Sequence, residues 1–267
     1  MRNARGTDTF FSLREIGVNS ADSPLYDLST LESFLDNSNT CFKYVFEIEF
    51  FIMGSSLKSD AQAKTRQQLI EAAAGVFAEV GFRAATVRAI CDRAGANVAA
   101  VNYHFGDKEK LYLEVLRFTQ EQALEKYPTD LGVKADSSPE LRLKAFIRSF
   151  LFRVFDEGRI AWHGKLMSRE MIEPTAALDA LVQEKIRPQA TQLAAITREL
   201  LGPRAKPEQI QLCGLSVVSQ CLFYHHCRPV VSLLFPEQKF APRDIEALAE
   251  HIAGFSLAAI KQLAKKK

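Results

Sequence analysis

Residues 86–112 read TVRAICDRAGANVAAVNYHFGDKEKLY, and the punctuation of this stretch sets the fold. Thr86 can cap a helix over VRAICDRA, Gly95 ends it, and Asn97 can cap a short helix over VAAVNYHF. Only GAN separates the two. That is helix-turn-helix spacing, in which a tight glycine turn sets two short helices at a steep angle. The second helix has about two turns, too little area to be held by core burial alone. Its first half, Asn97, Val98, Ala99 and Ala100, is small enough for the backbone to approach a groove floor. There the methyls of Val or Ala meet thymine methyls, and Asn pairs bidentately with adenine.

Gly106 then reverses the chain, and Asp107 can cap a fourth helix running to about Tyr127. Lys108 in its first turn opposes the helix dipole, which favours anions there. The placement suits a docked phosphate, with free N–H groups at the helix start and Tyr103 and His104 just upstream. Val101, Phe105 and Leu111 are expected in the core, and Cys91 as a small core residue.

Upstream, SDAQ at 59–62 fits a capping box, and Leu69, Ile70, Ala73, Val76, Phe77 and Val80 recur at helical spacing up to Gly81. Downstream, PTDLGVKADSSPE is a loop whose Ser138 and Pro139 open a helix to about Phe155. Further helices are predicted near 160–172, 174–201, 207–228 and 242–264, with Pro188 kinking or splitting the second of these. The expectation is an all-α chain.

The 267 residues are 47% hydrophobic and 25% charged, as in a globular protein with a real core. Residues 1–52 carry four basic and eight acidic residues, leaving 30 basic and 24 acidic for the remainder. The basic body favours an anionic partner. Five cysteines, an odd number with no CxxC spacing, point to a reduced, cytoplasmic location. YVFEIEFFIM is too short and too charged to span a membrane. The leader 1–52 is expected to be disordered, with CFKYVFEIEFFIM as a strand or a sticky disordered segment. Met53, followed by GSSLKSDAQAKTR, reads as a natural protein start; a regulatory arm is the other reading of the leader.

From Thr65 to Leu116 the chain resembles the DNA-binding domain of the TetR/AcrR family of transcriptional repressors. Gly81-Phe82, Thr86-Val87-Arg88, Ala94-Gly95, Tyr103-His104-Phe105 and Lys108-Glu109 carry the likeness. The resemblance implies contacts from Thr86 and Arg88, a recognition helix bearing Asn97, Val98, Ala99 and Asn102, and phosphate contacts from Tyr103, His104 and Lys108. Asn97 and Val98 stand where the family often has Ser and Arg or Lys, which hints at methyl contacts or shape readout. AWHGKLMSREMIEPTAALDALVQEKIRPQ and VVSQCLFYHHCRPVV resemble the CecR-type C-terminal domain.

The likeness implies a DNA-binding domain at 53–112 and an effector-binding, dimerising domain at 113–267. It also implies a homodimer through the last two long helices, operator DNA as partner and a small-molecule effector. In the last helix Ile245, Leu248, Ile252, Phe255, Ala259 and Leu263 form a stripe that a monomer or a mate can bury. The effector pocket is expected from Trp162, His163, Met167, Arg169, Glu170, Gln220, Phe223, Tyr224 and Arg228, apolar walls with a few polar groups. Core packing for Trp162 and an internal ion pair for Arg169 and Glu170 are the competing readings. Cys221, His225, His226 and Cys227 are zinc-type ligands, but adjacent histidines diverge by about 100° on a helix. No catalytic motif accompanies them, so neither an enzyme, a cofactor nor a metal site is expected.

Overall fold

The computed structural model describes the backbone of residues 38–156 and 161–265, and side chains over 60–156 and 162–265. The expectations for residues 1–37 and for the final two lysines lie outside the described residues. Eleven α-helices and one π-helical segment make up the described chain, with no strand among the described residues. Two compact units divide between Ala61 and Gln62.

Helix α1 spans Ser38–Ala84. This corrects two expectations. Residues 38–52 are helical rather than disordered or extended, and the Ser59 capping box starts nothing because the helix passes through it. Cys41, Val45, Ile48 and Ile52 already follow helical spacing, a period that the two glutamates among them obscured. Gly81 breaks the helix as expected, with φ 82° and ψ 168°, a conformation open essentially to glycine alone.

Helices α2 (Val87–Ala94), α3 (Val98–Phe105) and α4 (Lys108–Lys126) follow. Each start is capped by the residue anticipated. Thr86 accepts from the Ala89 amide, Asn97 from Ala99 and Asp107 from Lys110. Gly95 closes α2 in the left-handed conformation, with φ 65°. The core beneath them gathers Leu69, Ala73, Phe77, Ile90, Val101, Leu111 and Tyr112, with Phe77 meeting the Tyr112 ring edge-on at 4.9 Å. It continues beyond residue 113: Leu166, Ala177 and Leu181 belong to the same cluster.

A second core is built by α5 (Pro139–Phe155), α8 (Arg187–Leu201), α9 (Pro207–His226) and α11 (Pro242–Lys265). Helices α5 and α11 run antiparallel, laced by Lys261–Glu140, Lys144–Glu250 and Arg148–Glu246 pairs. Helix α6 (Ala161–Ile172) and short α7 (Ala177–Leu181) connect the two cores.

The segment predicted at 174–201 is split as Pro188 demands. A π turn at Val182–Ile186 precedes α8, and the Arg187 amide reaches back to the Val182 carbonyl. The helix predicted to 228 stops at His226, and a separate α10 (Arg228–Leu234) with Pro229 in its first turn follows. The predicted stripe on the last helix divides. Ile245, Leu248 and Ile252 are buried, whereas Phe255 and Leu263 stay exposed.

Candidate nucleic-acid interface and internal cavity

Helices α2 and α3 sort their residues cleanly. Ile90, Cys91, Val101 and Phe105 face the core. Thr86, Arg88, Asn97, Val98, Ala99, Asn102 and Tyr103 are exposed, so every expected contact on these helices lies on the surface except His104, which is half-buried. Tyr103 is 70% exposed, and its hydroxyl accepts a bond from Gln62 at 3.2 Å, leaving its own proton to donate. Asn97 spends one carboxamide lone pair on its cap, at 2.9 Å from the Ala99 amide, and keeps its amide donors.

Lys108 has an internal role that local sequence did not reveal. Its ammonium donates to the Phe82 and Ala85 carbonyls at 3.0 and 3.1 Å and lies 4.4 Å from the Phe82 ring centre. The Phe82 carbonyl follows the Gly81 break at the end of α1, and the Ala85 carbonyl directly precedes the Thr86 cap of α2. Lys108 is thus ill-placed for its own helix dipole and instead ties the start of α4 to the link between α1 and α2.

A second cation serves the turn of α1 just before Gly81. Arg169 of α6 donates to the Ala78 and Glu79 carbonyls at 3.3 and 2.8 Å. Beside it the carboxylate of Glu170, fully buried, accepts from the Tyr112 hydroxyl at 2.9 Å and from the Thr175 amide and hydroxyl at 2.8 and 2.9 Å. Burial and that carboxylate push the Tyr112 phenol far above its ordinary range, so it remains a donor. Trp162 and Leu166 complete this face by packing into the first core.

The opposite face of α6, with His163, Gly164, Met167, Ser168 and Met171, lines a cavity of about 550 Å³. Phe146, Phe150, Leu193, Ile210 and Val218 contribute to its apolar lining, from α5, α8 and α9. Arg153 of α5 stands in the wall at 2% exposure, donating to Gln189 at 2.6 Å and to the Ser149 carbonyl at 3.4 Å. Burial lowers its pKa to about 10, so it stays charged at neutral pH. Burial, and then the Arg153 charge, push His163 down to about 3, which makes it neutral. His225 reaches across to Ser168 at 3.0 Å.

Of the nine expected pocket residues, His163 and Met167 line this cavity and seven do not. Trp162, Arg169 and Glu170 sit on the other face of α6. Gln220 bonds Ser256 and the Ser216 carbonyl, Phe223 is 55% exposed, Tyr224 packs on the second core, and Arg228 lies over the Phe240 ring. Arg153 and Gln189 were missed. One signal was available: Arg153 falls seven residues after Phe146, on the apolar face of α5.

Residues 69–115 match the family model described as bacterial regulatory proteins of the tetR family, and residues 139–260 match the C-terminal domain of the HTH-type transcriptional dual regulator CecR. The chain is 28% identical over 172 residues to the CecR dual regulator of Shigella flexneri, covering 60% of this chain and 75% of that one. It is 43% identical over 58 residues to the transcriptional repressor AcnR of Corynebacterium efficiens, 22% of this chain and 31% of the relative. Among solved structures, AibR, crystallised with isovaleryl coenzyme A and operator DNA, shares the fold at TM-score 0.55 and 15% identity, over 72% of this chain and 97% of that one. These relatives are transcriptional regulators rather than enzymes. With both halves matched in order, the chain belongs to the TetR family of transcriptional regulators and carries a CecR-type C-terminal domain.

Proposed function

We propose that the protein is a cytoplasmic, homodimeric repressor that holds a palindromic operator and leaves it when a small molecule fills the cavity. One observation carries this reading. The wall of the cavity and the seat of the DNA-binding core are opposite faces of the same twelve-residue helix, α6. A ligand that packs against His163 and Met167 better in one position of α6 than in another shifts Arg169, Glu170 and Trp162, and with them the end of α1 and the readers beyond. The response can be no larger than the ligand's differential affinity for the two positions.

A two-fold operator needs two copies, since half-sites lie about one DNA turn apart. Exposed Leu212, Leu215 and Phe223 on α9, with Phe255 and Leu263 on α11, offer the apolar surface for the mate. On DNA, Asn97, Val98, Ala99 and Asn102 read the groove. Thr86, Arg88, Tyr103, His104 and the remaining N–H of Lys108 hold phosphates. That AcnR is named a repressor and AibR was crystallised with both an acyl-coenzyme A and its operator supports both halves of the reading.

Footprinting the full chain on DNA upstream of its own gene, between about 50 and 200 mM salt, tests it. A protected palindrome that fades steeply with salt is expected. No protection at any salt refutes the repressor reading.

A further inference from the structure

Among the described residues, two buried side-chain polar atoms have no hydrogen-bond partner: Nη2 of Arg153 and Nδ1 of His163. Both residues line the same cavity. Buried polar groups are nearly always paired, so two unpaired atoms in one wall mark a place built for something else to complete. The charge around them has one sign. Arg153, Arg187 and Arg198 line the cavity, and no aspartate or glutamate does. Arg187 and Arg198 are exposed, whereas Arg153 is held inside at 2% exposure. No carboxylate pairs with it among the described residues. A buried cation without a counter-charge is costly to keep, and the cost is recovered only when an anion arrives.

The donors suit a carboxylate. The Nε of Arg153 is spent on the Ser149 carbonyl and one N–H of Nη1 on Gln189. The second N–H of Nη1 and both on Nη2 carry no partner, which leaves donors enough on the guanidinium to bind a carboxylate through two bonds. Gln189 fixes the fork from α8, so the group is oriented before a ligand enters. Neutral His163 adds a donor or acceptor through its own unpaired nitrogen. Around these groups the lining is apolar, with Phe146, Phe150, Leu193, Ile210, Val218 and Met167.

We infer that the cavity binds an organic anion with a compact apolar body, its carboxylate seated on the Arg153 fork. A cation of the same shape is excluded by the unpaired charge, and a neutral molecule leaves the fork empty. This deepens the proposed function by naming the chemical class of the effector, and it rests on that reading of the cavity as the effector site.

The test is isothermal titration of the full chain, without DNA, with three probes sharing one ring system: 1-naphthaleneacetate, 1-naphthaleneethanol and 1-naphthaleneethylammonium. The carboxylate is expected to bind at least about ten-fold more tightly than the alcohol, and the ammonium more weakly than either. Arg153→Gln is expected to weaken the carboxylate by about ten- to a hundred-fold while moving the alcohol by less than about three-fold. Arg153→Lys, which keeps the charge and loses the fork, is expected to fall between them. Thermal midpoints of the unliganded variants separate this role from a structural one. Removing an uncompensated cation leaves the midpoint unchanged or raises it, whereas loss of a structural bond lowers it.

Equal affinity for the three probes, an undiminished carboxylate preference in Arg153→Gln, or no binding of any probe at about 5 mM overturns the inference. So does a loss of carboxylate affinity that merely tracks a lowered midpoint. Operator footprints in the presence of the carboxylate are read separately. Binding through Arg153 without release of DNA refutes the effector reading and leaves the anion site standing; release by the neutral alcohol alone does the reverse.

Discussion

Tyr112→Phe isolates one bond between the two halves of the regulator. Tyr112 is 2% exposed on α4, Glu170 is fully buried on α6, and their oxygens are 2.9 Å apart. Phenylalanine keeps the ring, so the edge contact with Phe77 at 4.9 Å and the tilted contact with Phe82 at 4.9 Å survive. What is lost is a hydrogen bond to a buried carboxylate, a class that contributes about 1.5–3 kcal/mol. Glu170 retains the two bonds from Thr175 on its other oxygen, which limits the damage. The expected destabilisation is about 2 kcal/mol. Urea unfolding followed by the fluorescence of Trp162, the single tryptophan, measures it. Glu170→Gln keeps an oxygen for Thr175 and offers an amide to the phenol, so alone it should cost about 1 kcal/mol. In that background Tyr112→Phe should cost less than in the wild type, because a neutral partner is being lost. A cost below about 0.5 kcal/mol for Tyr112→Phe in the wild type shows that this bond does not tie α6 to α4, and removes it from the coupling argument.

Gly81→Ala forces a side chain into φ 82°, ψ 168° and brings its Cβ to 2.9 Å from Arg169; a loss of about 1–3 kcal/mol in chemical denaturation is expected. Acid should weaken the fold through His163, whose folded pKa lies below its unfolded value: stability present above about pH 6.5 is lost as the unfolded state takes up a proton that the folded state refuses until about 3. Between pH 7 and 5.5 the wild type should lose about 1 kcal/mol more than His163→Gln, read from urea midpoints. Lys108→Met should cost about 1 kcal/mol through the uncapped Phe82 and Ala85 carbonyls and also lower operator affinity on all sequences with a salt slope smaller by about 1; a stability loss with an unchanged slope assigns Lys108 to the fold alone. Phe255→Asp, at a position 62% exposed, should shift the protein to monomers in sedimentation without lowering its helix content.

Local features were legible because their causes are local. Thr86, Asn97, Asp107 and Ser138 cap the helices expected of them, since a cap needs only the next three residues. Long-range partners were not. In α6 the sequence offers polar and apolar residues all round the helix, so spacing alone does not say which side meets a cavity. The structure puts 163, 164, 167, 168 and 171 on one side and 162, 166, 169 and 170 on the other. Nothing local therefore marks Glu170 as the partner of Tyr112, fifty-eight positions away in the chain. Lys108 was read through its own helix dipole, whereas its acceptors lie twenty-three and twenty-six positions earlier. Arg153 escaped notice because an arginine in an amphipathic helix ordinarily marks the wet side.

The π turn at Val182–Ile186 acts as a phase shifter for the cavity wall. A wide turn accommodates one residue more than an α-turn, and one residue corresponds to about 100° of rotation about the axis. Everything after it in α8 is presented at an azimuth that an uninterrupted helix from Ala177 would not give. Gln189 is three residues past the end of this turn, and it is the side chain that orients the Arg153 fork. Deleting one residue within 182–186 would relax the turn to ordinary helix at little cost to the core. Inserting one elsewhere in α8 would turn the core residues and the wall residues after it together. The turn therefore sets the phase of the ligand-facing and core-facing sides of α8 together, and Leu193, which belongs to both, ties one to the other.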